Sequence, residues 1–324
     1  MRPLVSVVVA CYNAGPFLVR SLESLRASTL LPLEVIVVDD CSTDNSAARA
    51  EEMGATVLRT AINGGPAKAR NLGARSAKGN ILFFIDSDVC VHPDTLSLVQ
   101  DALEADASLD AVIGAYDDAP DSRGFFAQYR NLMHCFVHRN GSREASTFWT
   151  GCGAIRRGVF LASSGFDERY SRPSIEDIEF GSRLVAAGSR IVLRPDIEVK
   201  HLKRWTFWQM VRTDVFDRGI PWAELILRNR NMPNDLNLQF HQRLSVILVY
   251  LLLGLSFTGH FVYSGIAVLL SVVTLNFSFY SFLARRRGIH FSLAAIPFHL
   301  LYHFYNGLSF GIALLRWGAS RGRA

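Results

Sequence analysis

Short β-branched runs alternate with amphipathic stretches along the first half of the chain. Val5–Ala10, Leu33–Asp39, Thr56–Leu58, Ile81–Ile85 and Ala111–Gly114 read as strands. Leu18, Leu22 and Leu25 recur at i, i+4 and i+7, the spacing of one helix face. Ser42-Thr43-Asp44 predicts a cap for a second helix. Pro66–Ala77 and Pro93–Ala105 predict two more, with Pro93 suited to a first helical position. Farther on, Ile175–Ala187 reads as a helix stopped by Gly188, and Arg190–Arg194 as a late strand. Strands and helices in alternation imply an α/β domain, a mostly parallel sheet with helices on both faces.

The pattern changes near Trp205. Trp205, Trp208, Val211 and Val215 fall at the spacing of one helical face, with Lys203, Arg204 and Arg212 nearby. That composition suits a helix lying at a membrane surface, and equally an ordinary helix packed on the domain. Leu244–Ala284 then runs 41 residues without a charge. A single helix of that length would be about 60 Å, twice a hydrocarbon core of about 30 Å, so two passes joined near Thr258–Tyr263 fit better. Arg285-Arg286-Arg287 follows, then a third apolar stretch, Phe291–Leu315, which Pro297 interrupts and which carries His299, His303 and Asn306. With a cytoplasmic N-terminal domain, two passes return Arg285–Arg287 to the cytoplasm, as positive-inside bias expects. A third full pass would put Arg316, Arg321 and Arg323 outside. The expected organisation is a catalytic domain over 1–203, an interfacial helical linker over 204–243 and a transmembrane helical region over 244–324.

Charge supports this division. Of the 324 residues, 49% are hydrophobic and 19% charged, which excludes a disordered chain. Residues 1–240 carry 27 Lys and Arg against all 29 acids, whereas residues 241–324 carry seven Arg and no acid. The basic balance thus belongs to arginines that border apolar runs, which points to membrane lipid and away from nucleic acid. Five scattered cysteines without a C-x-x-C pair indicate neither a zinc knuckle nor a disulfide framework. Met1-Arg2 followed by Leu4–Ala10 has the outline of a very short signal peptide, and Val8-Val9-Ala10-Cys11 that of a lipoprotein box. The apolar run meets a turn at Tyr12-Asn13-Ala14-Gly15, and it reads as a buried first strand.

Four constellations carry candidate chemistry. The first is Val5–Asn13 with Glu34–Asp44, two strands whose polar ends should lie side by side on the rim where open α/β sheets bind ligands. A carboxylate there can accept hydrogen bonds from a base or a ribose, although Asp39, Asp40 and Asp44 can also simply cap the next helix. The second, Asn63–Gly73, is neither G-x-G-x-x-G nor a Walker A loop, yet its glycines lead into a helix with Lys68 and Arg70 in the first turns. The third is Asp86-Ser87-Asp88 after an apolar strand. If the strand continued, both carboxylates would share one side, where a hard divalent cation can join them to a diphosphate. The fourth comprises Gly151–Arg157, Gly165–Glu168 and Glu176-Asp177-Ile178-Glu179. Acids at 176, 177 and 179 cannot all share one helix face, and one positioned carboxylate can act as a general base.

In this order the motifs resemble the GT-A glycosyltransferases of family 2, over about residues 4–201. The resemblance implies a GT-A nucleotide-diphospho-sugar-binding fold, a nucleotide-sugar donor, Mg²⁺ or Mn²⁺, and inversion at the anomeric carbon. It also implies roles: Asp40 at the base, with Ala10 and Tyr12 beside it; Asp86 at the ribose or the metal; Asp88 on the metal; Asp177 as catalytic base. Lys68 and Arg70 are candidates for the donor diphosphate. His201 can approach the same diphosphate, although a lone histidine is more often structural. Processive members carry Q-x-x-R-W after the base, whereas the nearest segment here is Gln209-Met210-Val211-Arg212-Thr213, which favours transfer of a single sugar. Membrane attachment suggests a lipid-linked or glycan acceptor. The alternatives are a membrane-anchored nucleotide-sugar binder without catalysis, or a nucleotidyltransferase, which the late Glu176-Asp177 motif disfavours.

Overall fold

A computed structural model describes residues 4–257 and 261–321. By internal packing the chain divides into two units: Met1–Arg123 with Gly141–Arg204, and Gly124–Asn140 with Trp205–Ala324.

The first unit opens with β1 (Val5–Cys11), α1 (Gly15–Arg26), β2 (Glu34–Asp39), α2 (Ser46–Glu52), β3 (Thr56–Arg59), α3 (Pro66–Ser76) and β4 (Ile81–Asp86). It continues with β5 (Val89–Val91), α4 (Thr95–Ala105) and β6 (Ala111–Tyr116). After α5 (Phe125–Arg139), which groups with the second unit, come β7 (Gly153–Arg156), α6 (Arg157–Ala162), α7 (Glu176–Ala186) and β8 (Ile191–His201). The eight strands form one sheet in the order β3-β2-β1-β4-β7-β6-β8-β5. The first four are parallel, β7 runs against both its neighbours, β6 and β8 are parallel again, and β5 opposes β8.

The strand cores are apolar without alternation because both sheet faces are covered. Val7, Val8 and Val9 of β1 and Leu82 to Ile85 of β4 have no accessible surface. Cys11 lies inside β1, and burial pushes its thiol up to about 11, so it is a neutral packing residue. On the α3 side of the sheet Phe84, Phe148, Phe160, Phe166 and Phe180 pack together, and Gly181 lets α7 approach. A Cβ at Gly181 would stand 1.9 Å from the Phe148 backbone nitrogen.

Two expectations are corrected, and two short strands appear that the sequence did not indicate. The strand ending at Asp86 does not continue through Asp88: a turn at Ser87–Asp88 carries the chain to β5 on the far edge of the sheet. The short β5 and β7 escape a periodicity reading because neither three nor four residues fill a pattern. Pro93 lies before its helix, where Asp94 is the N-cap.

The second unit is helical: α5, then α8 (Phe207–Arg212), a π-turn over Thr213–Gly219, and α9 (Ile220–Asn229). They are followed by α10 (Phe240–Leu255), α11 (Phe261–Leu275), α12 (Phe277–Arg287) and α13 (Ile289–Arg321). The single face expected around Trp205 is divided. Trp205 precedes the helix and is buried, while Trp208 is 76% exposed on it. The Thr206–Gln209 capping box starts α8 one residue too late for both to share a face.

Among the described residues no single helix is long and apolar enough to cross a membrane. Val262–Leu275 and Phe277–Arg287 pass that test only as a pair, bent by 68°. The break falls at Asn276, whose side-chain amide donates to the Ser245 hydroxyl and the Val272 carbonyl. The expected joint near Thr258–Tyr263 lies partly outside the described residues, as does Arg323. α13 runs unbroken through Pro297, where packing against α9, α10 and α12 offsets the lost backbone bond.

Candidate active site

The parallel register sets the rim. Ala10 pairs with Asp86 on one side and Val38 on the other, and Cys11 pairs with Asp39, so the ends of β1, β2 and β4 lie level. The loops after β1 and β2 are laced together. Asn13, at φ +50°, accepts from the Thr43 backbone at 2.8 Å, and its own N–H donates to the Ser42 hydroxyl at 2.9 Å. Asp44 accepts from the backbone N–H of Ser46 at 3.0 Å and of Gly15 at 3.2 Å, so it serves the turn. Tyr12, half exposed at 52%, is left over the surface of this rim.

Asp40 is 3% exposed and shapes the next loop. Its carboxylate accepts from Gly65 N–H at 2.7 Å, Gly64 N–H at 3.0 Å and the Thr60 hydroxyl at 2.8 Å. Gly65 adopts φ +87°, and a Cβ there would stand 2.4 Å from the Ser171 carbonyl carbon. Only glycine allows the 171–172 segment to close against this turn. The stem of Lys68 covers Gly64, whose Cβ would stand 2.5 Å from the lysine Cδ.

Arg70 ties distant motifs together. It is 5% exposed; one guanidinium nitrogen donates to Asp86 at 2.7 Å and another to Glu176 at 2.8 Å, over the ring of Phe166. Burial works against its charge, but Asp86, Glu176 and Asp177 outweigh burial and raise its pKa. With both arms engaged, Arg70 braces the acidic turn against the start of α7, where the sequence suggested a diphosphate contact. The three acids of α7 separate accordingly. Glu176 turns to Arg70, Glu179 pairs with Arg183 at 3.2 Å, and Asp177 stays half-buried. Asp177 accepts from the Thr150 N–H at 3.3 Å and the Thr150 hydroxyl at 3.4 Å.

Asp88 has a different partner. His201, the last residue of β8, lies 3.6 Å from its carboxylate, and the Leu202 N–H donates to the Asp88 carbonyl at 2.8 Å. Burial works to raise the Asp88 carboxyl, but His201 and Lys203 overcome it and hold the group below the usual carboxylate range. A carboxylate oxygen and an imidazole nitrogen suit a divalent ion between hard and borderline, Mn²⁺ more closely than Mg²⁺. Among the described residues no cluster of three or more such ligands forms. Asp88 and His201 present two donor atoms of the kind such a cation takes.

The family model described as glycosyl transferase family 2 matches residues 6–162. The chain is 37% identical over 256 residues to the succinoglycan biosynthesis protein ExoO of Rhizobium meliloti, covering 75% of this chain and 73% of that one. The chain belongs to glycosyl transferase family 2. It is also 39% identical over 135 residues to the glycosyltransferase GlyG of Streptococcus pneumoniae, covering 40% of this chain and 44% of GlyG. The chain thus spans less than half the length of GlyG. The fold is similar to that of the mannosyltransferase PcManGT from Pyrobaculum calidifontis, solved with GDP-Man and Mn²⁺. The TM-score is 0.63 at 20% identity, over 91% of this chain and 87% of that one.

In this family 2 domain the level rim holds Ala10 and Asp86, and Arg70 ties Asp86 to the start of α7 beside Asp177. Four contributors were given no individual role by the sequence. Thr150 stands one residue before the Gly151 motif, which is the signal that could have found it. Glu176 looked like a helix-start acid. Trp149 and Tyr116 carry no sequence signal at all, because their places follow from the sheet order.

Proposed function

We propose that the first unit transfers one sugar, with inversion, from a nucleoside diphosphate donor to a hydroxyl of a lipid-linked or glycan acceptor at the membrane. The observation that carries this reading is Arg70, which holds Asp86 and Glu176 together and so keeps Asp177 next to the acidic turn. Asp177 takes the acceptor's proton as the hydroxyl oxygen bonds to the anomeric carbon and the bond to the diphosphate oxygen breaks on the opposite face. Ala10 and Tyr12 border the base and Asp40 stiffens the loop beside it, while Lys68 lies toward the diphosphate. Asp88 and His201, with Asp86 nearby, would hold a divalent cation, which would supply positive charge toward the leaving diphosphate. PcManGT, solved with GDP-Man and Mn²⁺, supports this class of donor and metal. ExoO, whose description is succinoglycan biosynthesis, supports an envelope glycan as acceptor.

Transfer of a single sugar fits the use of Gln209, which caps α8 and has no tryptophan after Arg212. Membrane attachment, with the catalytic domain on the cytoplasmic side, fits the second unit. α11 and α12 are about 23 Å and about 17 Å long, each short of a core of about 30 Å, so we read this bent pair as entering the bilayer and returning.

Asp177→Asn keeps the side-chain shape and removes the proton acceptor. Turnover should fall by about 10²–10⁴-fold. Stabilisation by donor with Mn²⁺ in a thermal-shift titration should persist. Near-normal turnover would remove Asp177 from the role.

A further inference from the structure

Between Asp88 and Asp177 the wall of the first unit is aromatic. The His201 ring stacks on Tyr116 with centroids 4.4 Å apart and planes within 6°. Tyr116 in turn meets Trp149 at 4.7 Å, nearly perpendicular. Trp149 directly precedes Thr150, the residue that donates to Asp177. Tyr116 is buried, but Trp149 is only partly so, with one side packed on the phenylalanine cluster. Gly151 makes room for the indole: a Cβ there would stand 2.6 Å from Trp149 Cζ2. Gly153 fixes the backbone, since a Cβ there would stand 2.3 Å from the Trp149 carbonyl oxygen. A large indole is therefore clamped at a fixed angle, partly open, one residue from the group that orients the base.

The partly open indole offers an apolar face near a carboxylate, a combination that a ligand with one apolar face and a polar rim can match. A pyranose ring has that character. Its axial C–H bonds form an apolar face that packs on the negative π-surface of an indole, while its equatorial hydroxyls point sideways. From that seat one hydroxyl can reach Asp177, whereas an isoprenyl phosphate offers neither the face nor a proton to remove. We propose that Trp149 is the platform of the acceptor subsite, and that the acceptor presents a hexopyranose ring rather than a bare polyprenyl phosphate.

This rests on the transferase reading, and the test separates the two. Full-length enzyme in detergent with Mn²⁺ is assayed for nucleoside diphosphate release from UDP-glucose, UDP-N-acetylglucosamine and GDP-mannose. The acceptors are hexyl β-D-glucopyranoside, β-D-galactopyranoside and α-D-mannopyranoside, against undecaprenyl phosphate. The wild-type enzyme should use at least one glycoside in preference to undecaprenyl phosphate. Trp149→Ala should raise the KM for that glycoside about tenfold while the donor KM stays within about twofold, and Trp149→Phe, which keeps a ring against Tyr116, should fall between. Equal glycoside KM in wild type and Trp149→Ala, or a loss in kcat alone, overturns the platform and leaves the transferase standing. Preference for undecaprenyl phosphate does the same. Failure of the wild-type enzyme with every donor overturns both.

Discussion

The two units put apolar surface in opposite places. In the first, large apolar side chains line a two-faced sheet, and the exposed exceptions are scattered: Leu31, Leu33, Ile62, Leu161 and Val185. In the second, Ile247, Leu251, Val262, Ile266, Leu270 and Leu293 are all exposed on helices of a segment that has arginines and no acid. Yet both units bury charge by the same rule. Asp86–Arg70–Glu176 in one and Arg130–Asp214 with the Tyr305 hydroxyl in the other are closed sets, each charge with its partner. The difference lies in where apolar surface is left exposed, not in how charge is buried, and the membrane attachment proposed above assigns the second unit's apolar surface to lipid.

The strongest way to break that comparison is to strip each buried arginine. Arg70→Met leaves Glu176, 4% exposed, without its cation. Removing one partner of such a pair costs about 3–5 kcal/mol, a fall in Tm on the order of 10 °C. Arg130→Met should cost a similar amount, because Asp214 is as deeply buried as Glu176. Thermal unfolding of the detergent-solubilised chain measures both. A large loss for one arginine and none for the other would show that the units do not bury charge alike. Arg70→Met should also cut turnover, since the brace between Asp86 and α7 is gone.

A smaller change probes the surfaces. Ile247, 63% exposed on α10, becomes a charge placed among apolar neighbours in Ile247→Glu. A carboxylate set into hydrocarbon costs about 2–3 kcal/mol, so co-sedimentation with phosphatidylglycerol-containing liposomes should drop more than tenfold. Leu31→Glu, on an equally exposed residue of the first unit at 57%, should change neither sedimentation nor Tm beyond about 0.5 kcal/mol. Equal effects at both positions would erase the distinction between the surfaces.

The sequence was most legible where periodicity and chemistry coincide. β1, β2, β4, α3 and α7 stand within one or two residues of the periodicity reading, because each is an uninterrupted apolar run or a capped amphipathic stretch. The second unit was legible in composition but not in geometry. An acid-free apolar stretch is visible in composition alone, whereas the 68° bend falls at Asn276, whose amide bonds Ser245, 31 residues away. Within the site, Asp177 and Asp88 stand out as acids in motifs, while Thr150 does not and His201 shows only as a lone histidine without its partner. Thr150 and His201 arrive through sheet order, β7 beside β4 and β8 beside β5, and no local pattern encodes that.

The finest test falls on Thr150. Its backbone N–H and its hydroxyl both reach the same Asp177 oxygen, at 3.3 and 3.4 Å, distances at which each bond is weak. Thr150→Val keeps the shape and the backbone donor, so the carboxylate retains that N–H and the Ile178 N–H, which donates to its other oxygen at 2.8 Å. The residue is 3% exposed, and the hydroxyl that disappears leaves no larger gap behind. A hydrogen bond of this kind contributes about 0.5–1.5 kcal/mol, which predicts a three- to tenfold fall in kcat with both KM values and Tm nearly unchanged. A fall of a hundredfold would mean that the hydroxyl touches substrate directly. An unchanged kcat would mean that the backbone alone orients Asp177, so that the aromatic wall acts on the acceptor and not on the base.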